Sequence, residues 1–486
     1  MTDKFSRNLS MLTDFYEITM SNGYFNENMK DVIGVFDVFF RKVPDDGGFA
    51  VMCGLQQIID YITELNFSKE DIDYLKKRGF NDEFLNYLSN FKFSCDVWAI
   101  PEGTPIFPNE PIITVKGPII QSQLIETLIL LAFNHQTLIA TKANRIVRAA
   151  QGRPVMEFGA RRAQGFDAAV YGARAAVIGG CASTSCLLAA QKFGLNPSGT
   201  MAHSWIQTFD DEYEAFSIYA KQYPDSCVLL VDTYNVLKSG IPNAIKVFDN
   251  VLKPLGKRPV GIRIDSGDIT YLSKKARKML DAAGYADCHI IASNSLDEHI
   301  ISDMLLQGAR VDSFGVGERL ITSSSAPVLG GVYKLSAIID DDGAVSPRIK
   351  LSENVAKITT PGFKSVWRLF DRMSGKAIAD VITLFDEEID DSKPYEIFDP
   401  EYTWKRKTVT DFIARRLTKP VFEKGNLVYH EYSVAEIKRY CEKQIDLLWD
   451  EVLRFENPHN YYVDLSQPLW DLKHDLIQEC SKRKGE

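Results

Sequence analysis

Histidine is scarce in this chain, seven residues in 486. No second histidine stands at ligand spacing from another, which argues against a histidine-built zinc hydrolase. The eight cysteines are Cys53, Cys95, Cys181, Cys186, Cys227, Cys288, Cys441 and Cys480. None forms a C-x-x-C pair, so no zinc-ribbon spacing is visible. Scattered mostly within apolar runs, they read as reduced thiols of a cytosolic protein. The N-terminus lacks the apolar core of a signal peptide. The longest apolar runs, such as Leu124–Phe133, are too short to span a bilayer. Positive charge is not in excess: the net charge is −9, which argues against nucleic-acid binding by bulk electrostatics. No repeat or low-complexity tract is present. The expectation is a soluble, cytoplasmic chain.

What is present is ordinary globular material, 45% hydrophobic and 25% charged, enough for a large core. The first 130 residues mix types. "MLTDFYEITMSNGYF" reads as a helix capped by Thr13, "DVIGVFDVFFRKVP" as a strand, "GLQQIIDYITEL" and "NDEFLNYLSNF" as helices, and the Pro- and Gly-broken stretch from Cys95 to Pro118 as short strands. The middle alternates short apolar strands ("PVMEFG", "GTMAHS", "CVLLVD", "VGIRID", "HIIASN", "VDSFGVG") with helical segments at Asp167–Lys192, Asp210–Lys221, Gly240–Leu252, Thr270–Ala283 and Leu296–Gln307. Strand–helix repetition forces parallel pairing. Six visible strands, with room for one more, fit an open doubly wound sheet or a barrel. Beyond about residue 340 the pattern becomes strands and hairpins, with a turn at "DRMSGKA" and helices at Val434–Phe455 and Leu469–Lys484. The N-terminal unit and the tail are expected to pack as secondary layers on the central sheet.

Nearly every central strand ends in polar or charged residues: Arg161 and Arg162, His203 and Ser204, Asp232 and Thr233, Asp265, Ser266 and Asp268, Asn294 and Ser295, Glu318 and Arg319. Ligands bind at the C-terminal strand edge in parallel α/β folds. Helix capping accounts for one or two of these positions, not for the whole set. Asp232, Asp265 and Asp268 suit a Mg²⁺-carried diphosphate or a ribose diol. "SNSLDE" and "FGVGERL" are small-residue turns into helices, which favour phosphate. Arg161, Arg162 and Arg263 supply cationic forks. Phe158 and Tyr16 can stack on an aromatic base. His203 can act as acid, base or phosphoryl-accepting nucleophile. No rim lysine serves a Schiff-base aldolase, and Ser204 and Ser266 lack a G-x-S-x-G elbow.

"LTDFYEITM", "EFGARRAQGFDAA", "GTMAHSW", "LLVDTYN", "GIRIDSGD", "SNSLDE" and "FGVGERLITSSSAPVLGGVYKL" occur in this order. Together they closely resemble the nicotinate phosphoribosyltransferase family, from about Leu12 to Arg368. The resemblance implies a type II phosphoribosyltransferase fold: an irregular α/β barrel of parallel strands, plus an α+β open-faced sandwich domain built from N-terminal and later segments. The corresponding domains are 1–130 (sandwich), 131–345 (barrel) and 346–486 (completing the sandwich, with a helical tail). It implies a homodimer with active sites at the interface. The implied reaction joins nicotinate to 5-phosphoribosyl 1-diphosphate, giving nicotinate mononucleotide and diphosphate for NAD biosynthesis by salvage. ATP hydrolysis is coupled to it through a phosphohistidine, which matches His203.

The same resemblance implies residue roles. His203, Asp265, Asp232 and Arg263 are catalytic, with Mg²⁺ held through diphosphate at Asp265 and Asp268. Asp268 and Ser266 serve the ribose and diphosphate. Phe158 stacks on the pyridine, with Tyr16 of the partner subunit on its other face, and Arg161 holds the base and its carboxylate. Related nicotinamide enzymes carry an acid within the stretch that is Cys181–Cys186 here; Ser183 to Ser185 keep it neutral, which favours the acid substrate, with Thr184 as the expected substrate-binding residue. Asn294, Ser295, Gly315 and Gly317 cradle the 5′-phosphate. Glu318 departs from the family pattern and is expected either to turn away from the phosphate or to be paired, with Arg319 as a candidate partner. Lys350, Lys357, Lys364 and Arg368 lie where the family has basic residues near phosphates. The rivals are a nicotinamide or quinolinate enzyme of the same fold, a non-catalytic nucleotide-binding barrel, and a sugar-phosphate aldolase or isomerase.

Overall fold

A computed structural model describes residues 8–340, 342–354 and 357–483. They divide into two compact units. Unit 1 comprises the residues up to Thr137, Val328–Tyr432, and those from Arg439 onward. Unit 2 comprises Leu138–Pro327 and Ser433–Lys438.

Unit 2 holds a six-stranded parallel sheet: β1 Val155–Glu157, β2 Ser183–Thr184, β3 Val228–Leu230, β4 Gly261–Ile264, β5 His289–Asn294 and β6 Ser313–Val316. Its order is β2-β1-β6-β5-β4-β3, every pair parallel. The fold is thus mixed α/β with a parallel sheet, continued beyond β2 by a parallel bridge between Thr184 and Pro197. Register sets the rim. Thr184 lies opposite Glu157, Glu157 opposite Val316, and Val316 opposite Asn294. Strand burial is continuous in β3 and nearly so in β5, as expected of a sheet covered on both faces.

Two readings of the middle segment need correction. "GTMAHS" is not a strand. Gly199–Ala202 makes no ladder, and a short helix begins at His203 (His203–Gln207). Its polar groups are drawn off by a side chain: Arg263 Nη1 donates to Thr200 Oγ1 (3.2 Å) and to the Met201 carbonyl (3.4 Å). The hidden strand is β2, inside the stretch read as one helix, Asp167–Lys192. That helix is two, Phe166–Ile178 and Leu187–Phe193, because Gly180 turns the chain at φ +119°. The other predicted helices are found at Glu212–Gln222, Ile241–Val247 (extended by wider turns on both sides), Ile269–Ala282 and Glu298–Leu306. Asp211, Asp268 and Asp297 cap three of them through N–H groups of Glu214, Tyr271 and Ile300.

Unit 1 contains a seven-stranded antiparallel sheet drawn from N-terminal and later segments. Its order is Val345–Pro347, Val332–Ile339, Ile33–Phe39, Ile113–Pro118, Asp96–Ala99, Lys419–Glu423 and Asn426–Leu427. A second sheet pairs Phe412–Arg416, Lys364–Asp371, Ala377–Leu384 and Val463–Leu465. The hairpin turn expected at "DRMSGKA" joins its two central strands. Thr13 does not cap the first helix, Phe15–Asn26. Asp14 holds that position and Thr13 bonds the Glu17 carboxylate instead. A helix at Lys69–Lys77, closed by a Ser68/Asp71 capping box, was not read from sequence. The tail helices are Val434–Asp446, shorter than expected, and Gln467–Arg483, with Lys484 outside the described residues. One helical stretch, Ile119–Ala149, is long and apolar enough to cross a membrane by length and composition, contrary to the reading of its shorter apolar run. Two-thirds of its most apolar window is buried in protein, as in a core helix.

Candidate active site

The strand ends of β3, β4 and β5 gather one connected network. Asp265 follows β4. Its Oδ1 accepts from Arg263 Nη2 at 2.8 Å and from the Ser293 hydroxyl, and its Oδ2 lies 3.8 Å from His203 Nε2. Arg263 Nε also donates to Ser293 Oγ at 2.7 Å. The other imidazole nitrogen, Nδ1, is 3.0 Å from Thr233 Oγ1. Asp232, after β3, accepts from the backbone N–H of Asp265 (3.2 Å) and from the Ser266 hydroxyl through Oδ2. Burial pushes the Asp265 carboxyl up. Hydrogen bonds from Ser293 and Arg263, with the Arg263 charge and His203, outweigh it and leave Asp265 below the usual carboxylate range.

The base-stacking candidate joins the same network. The Arg263 guanidinium lies 5.8 Å from the Phe158 ring centroid. The Phe158 ring lies against Gly315, where a Cβ would meet two ring carbons at 2.6 Å. Gly315 therefore makes room for this ring, a reason for its glycine independent of phosphate. Beneath Phe158 is a carboxylate that sequence reading passed over. Glu157 is fully buried and accepts from Thr184 Oγ1 at 2.6 Å and from the Gly159 N–H. Burial raises its pKa, against those two hydrogen bonds. Thr184 is thus turned into the protein, and Ser183 bonds Ser198 at 2.6 Å, whereas Ser185 is exposed.

A second cluster forms at the ends of β5 and β6. Asn294 Oδ1 accepts the Ser295 N–H at 2.6 Å. Glu318 does not pair with Arg319. Its Oε1 accepts from Ser295 Oγ at 3.2 Å and its Oε2 faces Arg162 Nε at 3.8 Å. Arg319 bonds the helix cap Asp297. A Cβ at Gly317 would stand in ordinary van der Waals contact with the Phe158 carbonyl oxygen, 3.5 Å away.

Other expected residues stand apart from these bonds. Asp268 is exposed, and its Oδ1 is occupied in capping Ile269–Ala282. Arg161 is exposed on the turn after β1. Tyr16, Lys350 and Lys357 belong to unit 1. Tyr16 is 44% exposed, and burial together with the charges of Glu126 and Glu17 pushes its hydroxyl pKa up. Lys364 and Arg368, expected near phosphates, are buried in unit 1 by ion pairs. Lys364 Nζ is 2.7 Å from Asp37, and Arg368 binds both oxygens of Asp380 at 2.6 and 2.7 Å. Thr233, Ser293 and Glu157 were missed. Serine and threonine at strand ends carry no distinctive sequence signal, and Glu157 sits inside an apolar strand.

No cluster of three or more His, Cys, Asp or Glu side chains suited to a metal occurs among the described residues. Asp232 Oδ1, however, is buried with no hydrogen-bond partner. One unpartnered carboxylate oxygen beside a cationic rim fits Mg²⁺ that arrives on a diphosphate and keeps waters, rather than a preformed cage.

A parallel sheet with histidine, arginine and aspartates bonded along its C-terminal edge marks an α/β enzyme. Three family models match consecutive parts of the chain: the nicotinate phosphoribosyltransferase N-terminal domain over residues 11–134, the nicotinate phosphoribosyltransferase family over 154–353, and the C-terminal domain over 363–473. The nicotinate phosphoribosyltransferase of Bacillus subtilis (strain 168) is 44% identical over 478 residues, covering 98% of this chain and 96% of that protein. That of Dictyostelium discoideum is 36% identical over 523 residues, covering 96% and 88%. The crystal structure of human nicotinic acid phosphoribosyltransferase superposes with a TM-score of 0.84 at 27% identity, covering 96% of this chain and all of that one. The chain belongs to the nicotinate phosphoribosyltransferase family.

Proposed function

We propose that this chain joins nicotinate to 5-phosphoribosyl 1-diphosphate, with ATP hydrolysis coupled through a phosphate carried on His203. The carrying observation is the set Thr233, His203, Asp265 and Arg263 at the sheet edge, with Thr233 on His203 at 3.0 Å, Arg263 on Asp265 at 2.8 Å, and His203 Nε2 3.8 Å from Asp265 Oδ2. In the transfer step the pyridine nitrogen forms a bond to ribose C1 as the bond from C1 to the diphosphate oxygen breaks. Positive charge develops on the sugar, as in glycoside chemistry. Arg263 neutralises the departing diphosphate. Asp265 and Asp232, already oriented by Arg263, Ser293 and Ser266, face the ribose hydroxyls and the cationic sugar. Asp268 adds its second oxygen. Asp232, Asp265 and Asp268 would hold Mg²⁺ through the diphosphate, and the ion would neutralise charge on the leaving group.

In the coupled step the γ-phosphoryl of ATP passes to a His203 nitrogen and ADP leaves. Water later takes the phosphoryl, returning the imidazole and inorganic phosphate. The Thr233 hydroxyl can accept from or donate to Nδ1, 3.0 Å away; in the tautomer with the proton on Nδ1, Nε2 carries the lone pair and is the attacking atom. Asp265 at 3.8 Å stabilises the cationic ring.

Phe158 stacks on the pyridine from one face and Tyr16 of the partner subunit from the other, in a homodimer. Arg161 holds the base carboxylate. Asn294, Ser295 and Gly317 take the 5′-phosphate. Ser185, the exposed member of the neutral Ser183–Ser185 segment, selects the acid over the amide. The product enters NAD biosynthesis by salvage. The absence of a disulfide among the described cysteines supports a cytoplasmic setting.

The test is one assay. Labelled nicotinate, phosphoribosyl diphosphate and Mg²⁺ are incubated with the protein, with and without ATP, beside a nicotinamide reaction. Nicotinate mononucleotide should form, be stimulated by ATP, and have little nicotinamide counterpart. His203→Ala should keep a slow transfer and lose ATP coupling. Equal coupled ATP turnover in that variant would remove the histidine from the scheme, and product from nicotinamide alone would overturn the substrate.

A further inference from the structure

Unit 1 contains a cavity of about 430 Å³, within the size range of small-ligand sites. Its lining comes from the antiparallel sheet, from Ile382 and Leu465 of the second sheet, and from the last helix, Gln467–Arg483. None of the rim residues of unit 2 lines it.

The charge arrangement is the informative part. At the floor, Lys364 Nζ donates to Asp37 Oδ2 (2.7 Å) and to the Gly362 carbonyl (2.6 Å). Asp37 Oδ1 accepts from Thr114 Oγ1 at 2.7 Å, so the Asp37–Lys364 pair satisfies itself. A second ammonium, Lys473 of the last helix, lines the same cavity and has no hydrogen-bond or ion-pair partner among the described residues. Burial lowers its pKa; Glu401 counters this and Lys364 adds to it. Glu401, exposed, is the other carboxylate of the lining. Of the four charged lining residues, Asp37 and Lys364 pair with each other, which leaves the Lys473 ammonium with only the exposed, unbonded Glu401 carboxylate near it. A half-buried ammonium without a partner is costly unless an anion joins it.

The remaining walls suit a flat organic body. Phe39, Ile382, Leu465 and Ile477 are apolar. Tyr402 and His474 present ring systems. The His474 ring stacks on Trp470 with centroids 3.6 Å apart, and its Nδ1 lies 2.8 Å from the Trp470 carbonyl. A carbonyl only accepts, so Nδ1 carries the proton and the neutral ring keeps Nε2 as an acceptor.

We propose that this cavity is a second ligand site, which takes a small organic anion (a carboxylate or a phosphate monoester) with its charged group on Lys473 and its flat body between the Ile382/Leu465 wall and the Tyr402 and His474 rings. The site is independent of the phosphoribosyl transfer chemistry.

The experiment is lysine footprinting on the full chain. Acetic anhydride at limiting dose labels accessible amines, and mass spectrometry reads each site. Benzoate and phenyl phosphate are the two organic probes, with inorganic phosphate as the charge-only control. Labelling of Lys473 should fall at least five-fold with one organic probe, while exposed Lys42 and Lys393 are unchanged. Protection by benzoate assigns the carboxylate and by phenyl phosphate the monoester. The protecting probe should also raise Tm in the parent protein but not in Lys473→Met, a variant whose apolar side chain fits the same wall. Unchanged Lys473 labelling with both probes, or equal protection by inorganic phosphate, would overturn the proposal.

Discussion

At position 315 there is no room for a methyl group. The Phe158 ring occupies the space a Cβ would take, with two ring carbons 2.6 Å from it. Gly315 is buried on a strand between β1 and β5, so the backbone cannot retreat. The ring must move, and with it the cation–π contact to Arg263. Gly315→Ala is therefore expected to raise KM for nicotinate about ten-fold or more, at an overpacking cost of about 1–3 kcal/mol in stability. KM for phosphoribosyl diphosphate should change less. Steady-state kinetics with each substrate varied, beside urea denaturation, check both. An unchanged nicotinate KM would mean that Phe158 does not touch the base. The same scale explains what the sequence hid. His203, Asp232, Arg263 and Asp265 are rare or charged types in or just after short apolar stretches, a pattern visible in the sequence. Their supports, Thr233 and Ser293, are common residues whose role exists only in three dimensions.

Among elements, Gly180 decides where a helix stops and a strand begins. Its φ of +119° is a region L side chains rarely adopt, and a Cβ there would stand 3.1 Å from Val147. The adjoining Gly179 is as constrained, since its Cβ would fall 2.4 Å from the Ala140 carbonyl oxygen. Gly180→Ala should cost about 1–3 kcal/mol of stability from backbone strain and crowding. It should also displace Ser183–Ser185, because β2 starts three residues on. A fall in denaturation midpoint with a changed nicotinate-to-nicotinamide ratio is the expected pair of readouts; a fully stable variant would contradict it. Composition reads Asp167–Lys192 as one helix because its alanines and leucines favour helix throughout. Two glycines override that preference, and β2 is too short to show a period of two. The five other strands of the sheet were legible because each is an apolar run bounded by polar turns. "GTMAHS" has the same pattern without the ladder; its Met201 carbonyl is taken by Arg263 and its Ala202 carbonyl by the Trp205 N–H. Tertiary partners of this kind leave no local signal.

Over the whole molecule, buried charge is handled in two ways. Some carboxylates are paired with cations: Asp380 with Arg368, Asp37 with Lys364, and Glu298 with Lys142 and Arg145. Others have only neutral donors. Glu17 is wholly buried, bonded by the Thr13 and Thr127 hydroxyls, and burial pushes its pKa from 4.5 to about 7 despite those bonds. Because the folded pKa lies above the unfolded one, the folded chain binds the extra proton between about pH 4.5 and pH 7. The contribution of Glu17 is most favourable below that window, is lost as pH rises through it, and is constant above it. Asp464, raised to about 7 by burial and the Asp399 charge, acts in the same direction. Asp265 and Asp297 act oppositely: their pKa values are lowered, so their contribution is present above the unfolded value and lost as pH falls through the folded one. Glu17→Gln isolates one of these terms while keeping a side chain of the same shape that cannot ionise. The stability of Glu17→Gln minus that of the parent should climb from pH 4.5 to pH 7, by on the order of 2–3 kcal/mol, and then level off. Urea denaturation at half-unit steps of pH measures that difference. A flat profile would place the Glu17 carboxylate in contact with water, and a falling one would require a cation beside it.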